Sequence, residues 1–548
     1  VERIREAQIE SVAVGLLHAY ANPAHEQCIR DILQKHLPDI AVSLSSEVCP
    51  EIREYERQST ACANAYVQPL IASYLVEVRE CLASDGFNCA CLLMTSGGHQ
   101  VTIDTAVAFP VRLVESGPAG GAILAAHIAR TLGESSVLSF DMGGTTAKIC
   151  LIDDCTLPLS RTFEVDRAHR FMKGSGMPIK IPVVDMVEIG AGGGSILWLD
   201  NQNILKVGPH SAGADPGPAS YGRGGLQPTI TDCFVGMGLI DPQAFLGGRM
   251  RLDRSAAVEA LDTLSAGLGF NGSDSALKVA DSALRVAIAM MSSELYKELA
   301  QRGVDPRGRY LMAYGGAGPT LAAALAEEAK LGGVLVPMSP GTLCAYGAIT
   351  SQVRRDFIRS VRTRPPEGPV SVDPVESAIE EMEKEAQAWA KAQGDGLTDA
   401  VVWVSADMRY VGQAYELEIA LSRLSSERNA ETLTTLFHEA HTKTYGFPDN
   451  DSRIEIMNIR LSIVRPLPAL PVHTVEDAEN EISPVGQRTV FWNNERFEAA
   501  VFSRSDMKAS HRITGPAIVE QQDTTTWLSP GWNGQVLESG NLQLQLTR

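Results

Sequence analysis

The stretch SVLSFDMGGTTAKICLID, Ser136 to Asp153, sets a carboxylate, two glycines and two hydroxyls almost side by side, at Asp141, Gly143, Gly144, Thr145 and Thr146. Val137 to Phe140 is short, apolar and β-prone, and the pattern resumes from Ala147 to Ile152, so the glycines and threonines fall in a turn between two strands. Glycines lack Cβ and let backbone N–H groups approach an anion closely. Threonine hydroxyls donate as well, and a strand-end carboxylate such as Asp141 can hold magnesium through water. This is chemistry suited to a nucleotide phosphate, although an ordinary Gly-Gly hairpin turn shares the same short signature.

Further stretches carry residues of the same kinds. IPVVDMVEIGAGGGSILWLD, Ile181 to Asp200, gives a strand, a loop with Gly192, Gly193 and Gly194, and a second strand. Consecutive glycines there imply close approach by ligand or by backbone. Asp185 and Glu188 precede the loop, either orienting substrate or metal or forming a solvated strand edge. YLMAYGGAGPTLAAALAEEA, Tyr310 to Ala329, gives an apolar strand, a turn with Gly315, Gly316 and Gly318, and a helix whose N-terminus offers free N–H groups. VRLVESGPAGGAILAAHIA sets Glu115 before a small-residue helix, and PTITD ends in Asp232. Ser96-Gly97-Gly98-His99 follows a strand over 90–95, at the end where open α/β sheets bind ligands; His99 reads as a turn histidine or a substrate contact. His438 and His441 lie one helical turn apart without a third ligand nearby, which favours packing over metal.

These residues must be positioned by alternating strands and helices, so the class is α/β. Asn22 to Leu37 has helical spacing behind an Asn and a Pro-Ala start. Glu51 to Leu82 predicts a long helix interrupted by Pro69, and Asp253 to Gly303 is mainly helical. Asp166 to Lys180 is a polar, glycine-containing loop that could act as a flap, and Ser211 to Gly225 is a turn-rich ordered loop. RTRPPEGPVSVDP, Arg362 to Pro374, has the composition of a linker. Beyond it a charged helix and alternating strands predict a separate β-rich domain.

The chain has 548 residues, 44% hydrophobic and 21% charged, enough for several globular domains. Its formal charge of −19 argues against a broad grip on nucleic acid or an anionic membrane, so an anionic nucleotide needs local donors and a cation. Ten scattered cysteines without a Cys-x-x-Cys pair read as reduced thiols. With no apolar run of membrane length, the expected location is cytoplasmic.

EIREYERQSTACANAYVQP, MTSGGHQ, ESGPAGG, FDMGGTTAK, VEIGAGGGSILWLD, VGPHSAGADPGPASYGRGG, PTITD, RGVDPR, AYGGAGPT, PGTLCAYGA, DMRYVGQAYEL and GPAIVEQQDTT, in that order, resemble the hydantoinase A and oxoprolinase family, nearly end to end. The resemblance implies ribonuclease H-like lobes of the actin, sugar-kinase and heat-shock-chaperone ATPase type, with a C-terminal β-rich α+β domain. It suggests segments 1–65 as a remnant of the N-terminal lobe, 66–356 as the ATP-binding domain and 357–548 as the C-terminal domain. The implied ligands are ATP and Mg2+. ATP would lie against Gly143, Gly144, Thr145, Thr146, Gly192, Gly193 and Gly194, with Gly315, Gly316 and Gly318 on the adenosine side. Asp141 would hold the metal, and Asp141, Glu115 and Asp232 would be the catalytic acids. The implied activity is ATP-dependent opening of a cyclic amide (hydantoin, oxoproline or lactam) with a B-type partner subunit, in a homo-oligomer. The carboxylase branch and a non-catalytic nucleotide-binding scaffold are the alternatives. Arg57, in the YER signature, is a candidate substrate or interdomain contact. The abrupt start at Val1 is expected to reflect a missing upstream segment with a further phosphate hairpin. Two departures stand out: Cys233-Phe234 where relatives usually carry Ala-Asn, and Leu321 where many carry histidine.

Overall fold

Residues 1–165, 174–363, 373–392, 399–421, 429–465 and 473–547 are described by the structure, a computed structural model. They group into two compact units, each assembled from three separate segments. Unit 1 comprises Val1–Ser116, Ser160–Val183 and Ser351–Ala469; unit 2 comprises Gly117–Leu159, Val184–Thr350 and Leu470–Arg548. The β-rich C-terminal part is thus shared between both units. The linear division at 65/66 and 356/357 remains a proposal about sequence modules.

Unit 2 is built on an eight-stranded mixed sheet. Its strands in chain order are β1 (Ser136–Met142), β2 (Ala147–Asp153), β3 (Val187–Ile189), β4 (Tyr310–Tyr314), β5 (Gly333–Val336), β6 (Arg512–Thr514), β7 (Trp532–Val536) and β8 (Leu542–Leu546). Their spatial order is β3, β2, β1, β4, β5, β8, β7, β6. The β1 strand runs antiparallel to β2 and parallel to β4, so the turn after β1 and the turn after β4 emerge at the same edge of the sheet. Both strands are buried on both faces, as near-continuous apolar runs require. The helices Ile230–Met237, Ser275–Gln301 and Gly318–Glu328 contribute to the same core, together with the fully buried Trp527 and Trp532.

Unit 1 carries a six-stranded sheet in which 353–363 lies between 454–465 and the short hairpin of 92–94 and 100–102. The helix Glu54–Ser84 is continuous over 31 residues and contains Pro69, where a break was expected. A helix can absorb one missing N–H when the rest of its ladder and its packing persist. Of the expected flap, 166–173 lies outside the described residues, and Met177–Ile179 is a strand paired with Phe163–Val165. Most of the expected linker, 364–372, also lies outside them.

Candidate functional site

Asp141 and Met142 close β1, Ala147 opens β2, and Gly143 to Thr146 make the turn between them. The Gly143 N–H donates to the Thr146 carbonyl at 3.2 Å, which closes the hairpin. Gly144 and Thr145 at its tip are exposed. A Cβ built on either Gly143 or Gly144 would meet nothing within 4 Å, so this turn leaves open space where a ligand oxygen would have to come. That fits an anion approaching the backbone.

Gly192 to Gly194 brace the turn from behind. The N–H groups of Gly193 and Gly194 donate to the carbonyls of Gly143 and Gly144 at 2.9 and 2.6 Å. A Cβ on Gly192 would stand 2.6 Å from the Thr145 carbonyl carbon and 2.7 Å from the Thr146 nitrogen. Of the two readings for this loop, backbone packing is therefore the one its hydrogen bonds carry. The N–H groups at 193 and 194 are already spent on protein carbonyls.

A third glycine turn locks on from β4. Gly315 has φ +80°, and a Cβ there would stand 2.5 Å from the Met142 carbonyl and 2.6 Å from Asp141 Oδ1. Only glycine fits that close approach. The Ala317 N–H donates to the Met142 carbonyl at 3.0 Å. Gly316 faces a cavity of about 200 Å³ that Gly143, Gly144 and Gly193 also line. Gly318 opens the following helix and is buried.

Asp141 is half-buried at the root of the hairpin and accepts a hydrogen bond from Cys344 Sγ at 3.2 Å. Burial pushes its carboxyl above the ordinary value, opposed by that hydrogen bond and by the Lys148 charge. Cys344 is pushed upward in turn by burial and by Asp141, so it is a thiol donor rather than a nucleophile.

Asp232 is wholly buried and accepts from the Thr229 N–H and hydroxyl, the Ser220 N–H and the Ala219 N–H, at 2.8 to 3.2 Å. With Thr229 it forms a capping box at the start of helix Ile230–Met237. Its neighbour Thr231 donates to the Gly193 carbonyl from both N–H and hydroxyl, at 2.7 and 2.9 Å. Asp232 thus fixes the helix start that holds Gly193, which in turn holds the Gly143 to Thr146 turn. Glu115 lies in unit 1 at φ +63°, immediately before the helix Ser116–Thr131. Asp185 pairs with Arg302 at 2.8 Å, and Glu188 lies 3.9 Å from Lys148.

Other candidates are structural in their contacts. Arg57 is fully buried, donating to the carbonyls of Glu51 and Leu16 and to the Ser45 hydroxyl. His441 Nδ1 sits 2.6 Å from the Phe447 carbonyl and its ring packs on Tyr410. Among the described residues no group of three or more His, Cys, Asp or Glu is placed to hold a metal ion. Leu321 is a core residue and Cys233 is buried beneath the site, whereas Phe234 lines the cavity.

The segment Glu520 to Thr525, over two hundred residues after β4, supplies the far wall of the cavity. Thr524 Oγ1 donates to the Gly316 carbonyl at 3.1 Å, and Thr320 Oγ1 donates to the Thr525 carbonyl at 2.7 Å. Asp523 Oδ1 is buried without a hydrogen-bond partner among the described residues. Sequence reading missed Asp523; its only signal was its place in the GPAIVEQQDTT motif.

Three glycine turns converge on one cavity at the carboxyl end of the adjacent parallel strands β1 and β4, in a mixed α/β protein. The chain is a member of the hydantoinase/oxoprolinase family: the family's central model matches residues 57–357, its N-terminal region 1–37 and its C-terminal domain 370–542. An uncharacterized protein of Methanocaldococcus jannaschii is 34% identical across 99% of this chain and 78% of its own length. The caprolactamase subunit alpha of Pseudomonas jessenii is 29% identical across 99% of this chain and 77% of its own. The crystal structure of that organism's ATP-dependent caprolactamase superposes with a TM-score of 0.80 at 28% identity, covering 100% of this chain and 78% of the other. Nucleotide-free acetone carboxylase shares the fold, with a TM-score of 0.82 at 23% identity and the same coverages. No helix among the described residues is long and apolar enough to cross a membrane.

Proposed function

We propose that this chain is the ATP-using subunit of an enzyme that activates a cyclic amide for ring opening and works with a B-type partner subunit. The observation that carries the reading is the Gly143 to Thr146 turn, open at Gly143 and Gly144 on the cavity and held by hydrogen bonds from Gly193 and Gly194. The similarity to a caprolactamase subunit supports an amide as the acceptor.

When bound, ATP supplies a phosphoryl group that turns the amide oxygen into a leaving group. The chain's own residues do the rest. The N–H groups of Gly144 and Thr145, with the Thr145 and Thr146 hydroxyls, bind phosphate oxygens, and their fixed geometry stabilises charge as it develops. Asp141 would be the residue to hold a magnesium ion, which would neutralise phosphate charge. A cation there would draw the carboxyl back to the ionised form that burial disfavours. Asp523 offers its unpartnered oxygen to a ligand hydroxyl or hydrated cation beside Gly316. Gly192, Gly193, Gly194 and Asp232 act as positioning residues, and Gly315 and Gly318 set the second turn against Asp141. Glu115, a candidate acid by resemblance alone, lies in unit 1 and takes no part in this reading of the unit 2 cavity.

The test is ADP release by the full chain with its partner subunit, over caprolactam, 5-oxoproline, hydantoin, and acetone or acetophenone with bicarbonate. Amide-dependent ADP supports the proposal. Release only with a ketone and bicarbonate replaces it with the carboxylase reading, and tight ATP binding without any stimulated turnover replaces it with a scaffold.

A further inference from the structure

Unit 1 contains a cavity of about 690 Å³ that the nucleotide reading does not use. Its charged lining residues are mostly paired. Glu51 is held by Lys180 and by Arg460 at 3.2 Å, Arg460 by Asp407 at 2.7 Å, and Arg354 by Asp356 at 2.7 Å. Arg359 pairs with Glu385, Arg161 with Glu418, and Glu47 with Arg30 at 2.6 Å. Glu381 is exposed to solvent. His99 lies 3.9 Å from Asp356, and burial lowers its pKa to about 4, so it is neutral at physiological pH.

Two lining guanidiniums are left over. Among the described residues, the side chains of Arg112 and Arg355 make no hydrogen bond and no ion pair at contact distance, although Asp356 and Glu385 act on them from farther away. Each lies over aromatic rings instead. The Arg112 guanidinium carbon is 4.5 Å from the Phe109 ring centre, and that of Arg355 is 5.1 Å from Phe357 and 5.8 Å from Trp389. Stacking of this kind fixes the plane of the fork while leaving its N–H edge for an acceptor. Burial lowers the pKa of both groups; at Arg112 the Asp356 charge offsets part of this while the Arg355 charge adds to it, and at Arg355 the Glu385 charge offsets part of it. Two half-buried cations lining one cavity, each disfavoured by burial, gain from an anion that both can reach.

We propose that the unit 1 cavity is a binding site for a small organic carboxylate, with Arg112 and Arg355 gripping the carboxylate and Val101, Ile181, Pro182 and Trp389 covering an apolar or planar body. The lining favours a carboxylate over a polyphosphate. No glycine lines this cavity, in contrast to the one in unit 2, so the close backbone donors that cradle phosphate are missing here. The apolar wall favours an organic acid over an inorganic ion. This inference does not depend on the nucleotide reading, because its test uses no ATP and no turnover.

The experiment is calorimetric titration of the full chain with benzoate, glutarate and 5-oxoproline, their uncharged counterparts benzamide and 2-pyrrolidinone, and inorganic phosphate. At least one carboxylate should bind saturably, its uncharged counterpart at least about tenfold more weakly, and Arg112→Gln and Arg355→Gln should each weaken binding by about tenfold or more. Arg355→Lys keeps the charge but loses the fork and should fall between, which separates recognition from misfolding; circular dichroism checks each variant. The proposal is overturned if no carboxylate binds, if the neutral compounds bind as well as the acids, if phosphate alone binds, or if folded arginine variants bind like the parent chain.

Discussion

Replacing Gly144 by alanine separates a glycine needed by a ligand from a glycine needed by the fold. Gly144 is exposed, its φ lies outside the left-handed region, and the added Cβ would meet nothing within 4 Å. The folded state therefore loses nothing, and the reduced freedom of the unfolded chain stabilises it by about 0.4 to 1 kcal/mol. Bound phosphate meets the new methyl group directly. If one or two charge-assisted hydrogen bonds at about 1.5 kcal/mol each are lost, ATP affinity falls by about 10- to 100-fold. Gly192→Ala should do the reverse. Its Cβ would press within 2.6 to 2.8 Å of the backbone of residues 144 to 146, a clash of the kind that costs about 1 to 3 kcal/mol of stability. Thermal melts paired with nucleotide titration on both variants read the two effects. A Gly144→Ala protein that melts like the parent and binds ATP as tightly would refute the phosphate role of the turn.

Asp141→Asn should abolish amide-dependent ADP release without lowering the melting temperature at pH 7. Its carboxyl pKa is raised in the folded state, so the ionised form costs stability as pH rises through the ordinary carboxylate range. A melting temperature well below the parent's would contradict this. Asp232→Asn should instead destabilise by about 2 to 4 kcal/mol, because at least one of its four buried donors loses its acceptor; denaturant midpoints decide, and a stable but inactive variant would restore a catalytic role. His99 titrates near 4 when folded against an ordinary 6.5. The unfolded chain takes up its proton first, so stability should fall by about 3 kcal/mol as pH drops from 6.5 to 4. In His99→Gln that part of the slope between denaturation at pH 7 and pH 4.5 should disappear, and an unchanged slope would show that the imidazole is not buried neutral.

Local pattern carried much of the site. The strand, Gly-Gly-Thr-Thr turn and strand of 136–153 form the hairpin expected from their apolar runs. The GGAGP turn starts its helix where Pro319 and the small residues predict. The Gly192 to Gly194 loop was legible as a place of close approach, but its partner was not, because a glycine tolerates a ligand and a backbone equally well. Asp232 looked like a catalytic acid for a similar reason. An acidic residue at the third position of a helix caps it or serves chemistry depending on which donors surround it, and Ala219 and Ser220 come from a loop whose path no periodicity reveals. Pro69 misled because propensity is weak beside the packing of a 31-residue helix.

The sequence by itself determined the α/β class, the Gly-Gly-Thr-Thr hairpin and the family, since all three are written in short runs whose spacing is local. Only the tertiary structure decided which distant segments complete the sites. Thr524 reaches Gly316, and Cys344 reaches Asp141, by side-chain hydrogen bonds between segments about two hundred positions apart. Arg112 and Arg355 meet in one cavity because the strand starting at Val353 pairs with Gln100 across the unit 1 sheet. Such meetings follow from closing long loops around shared cores, and loop closure leaves no periodic mark in the chain.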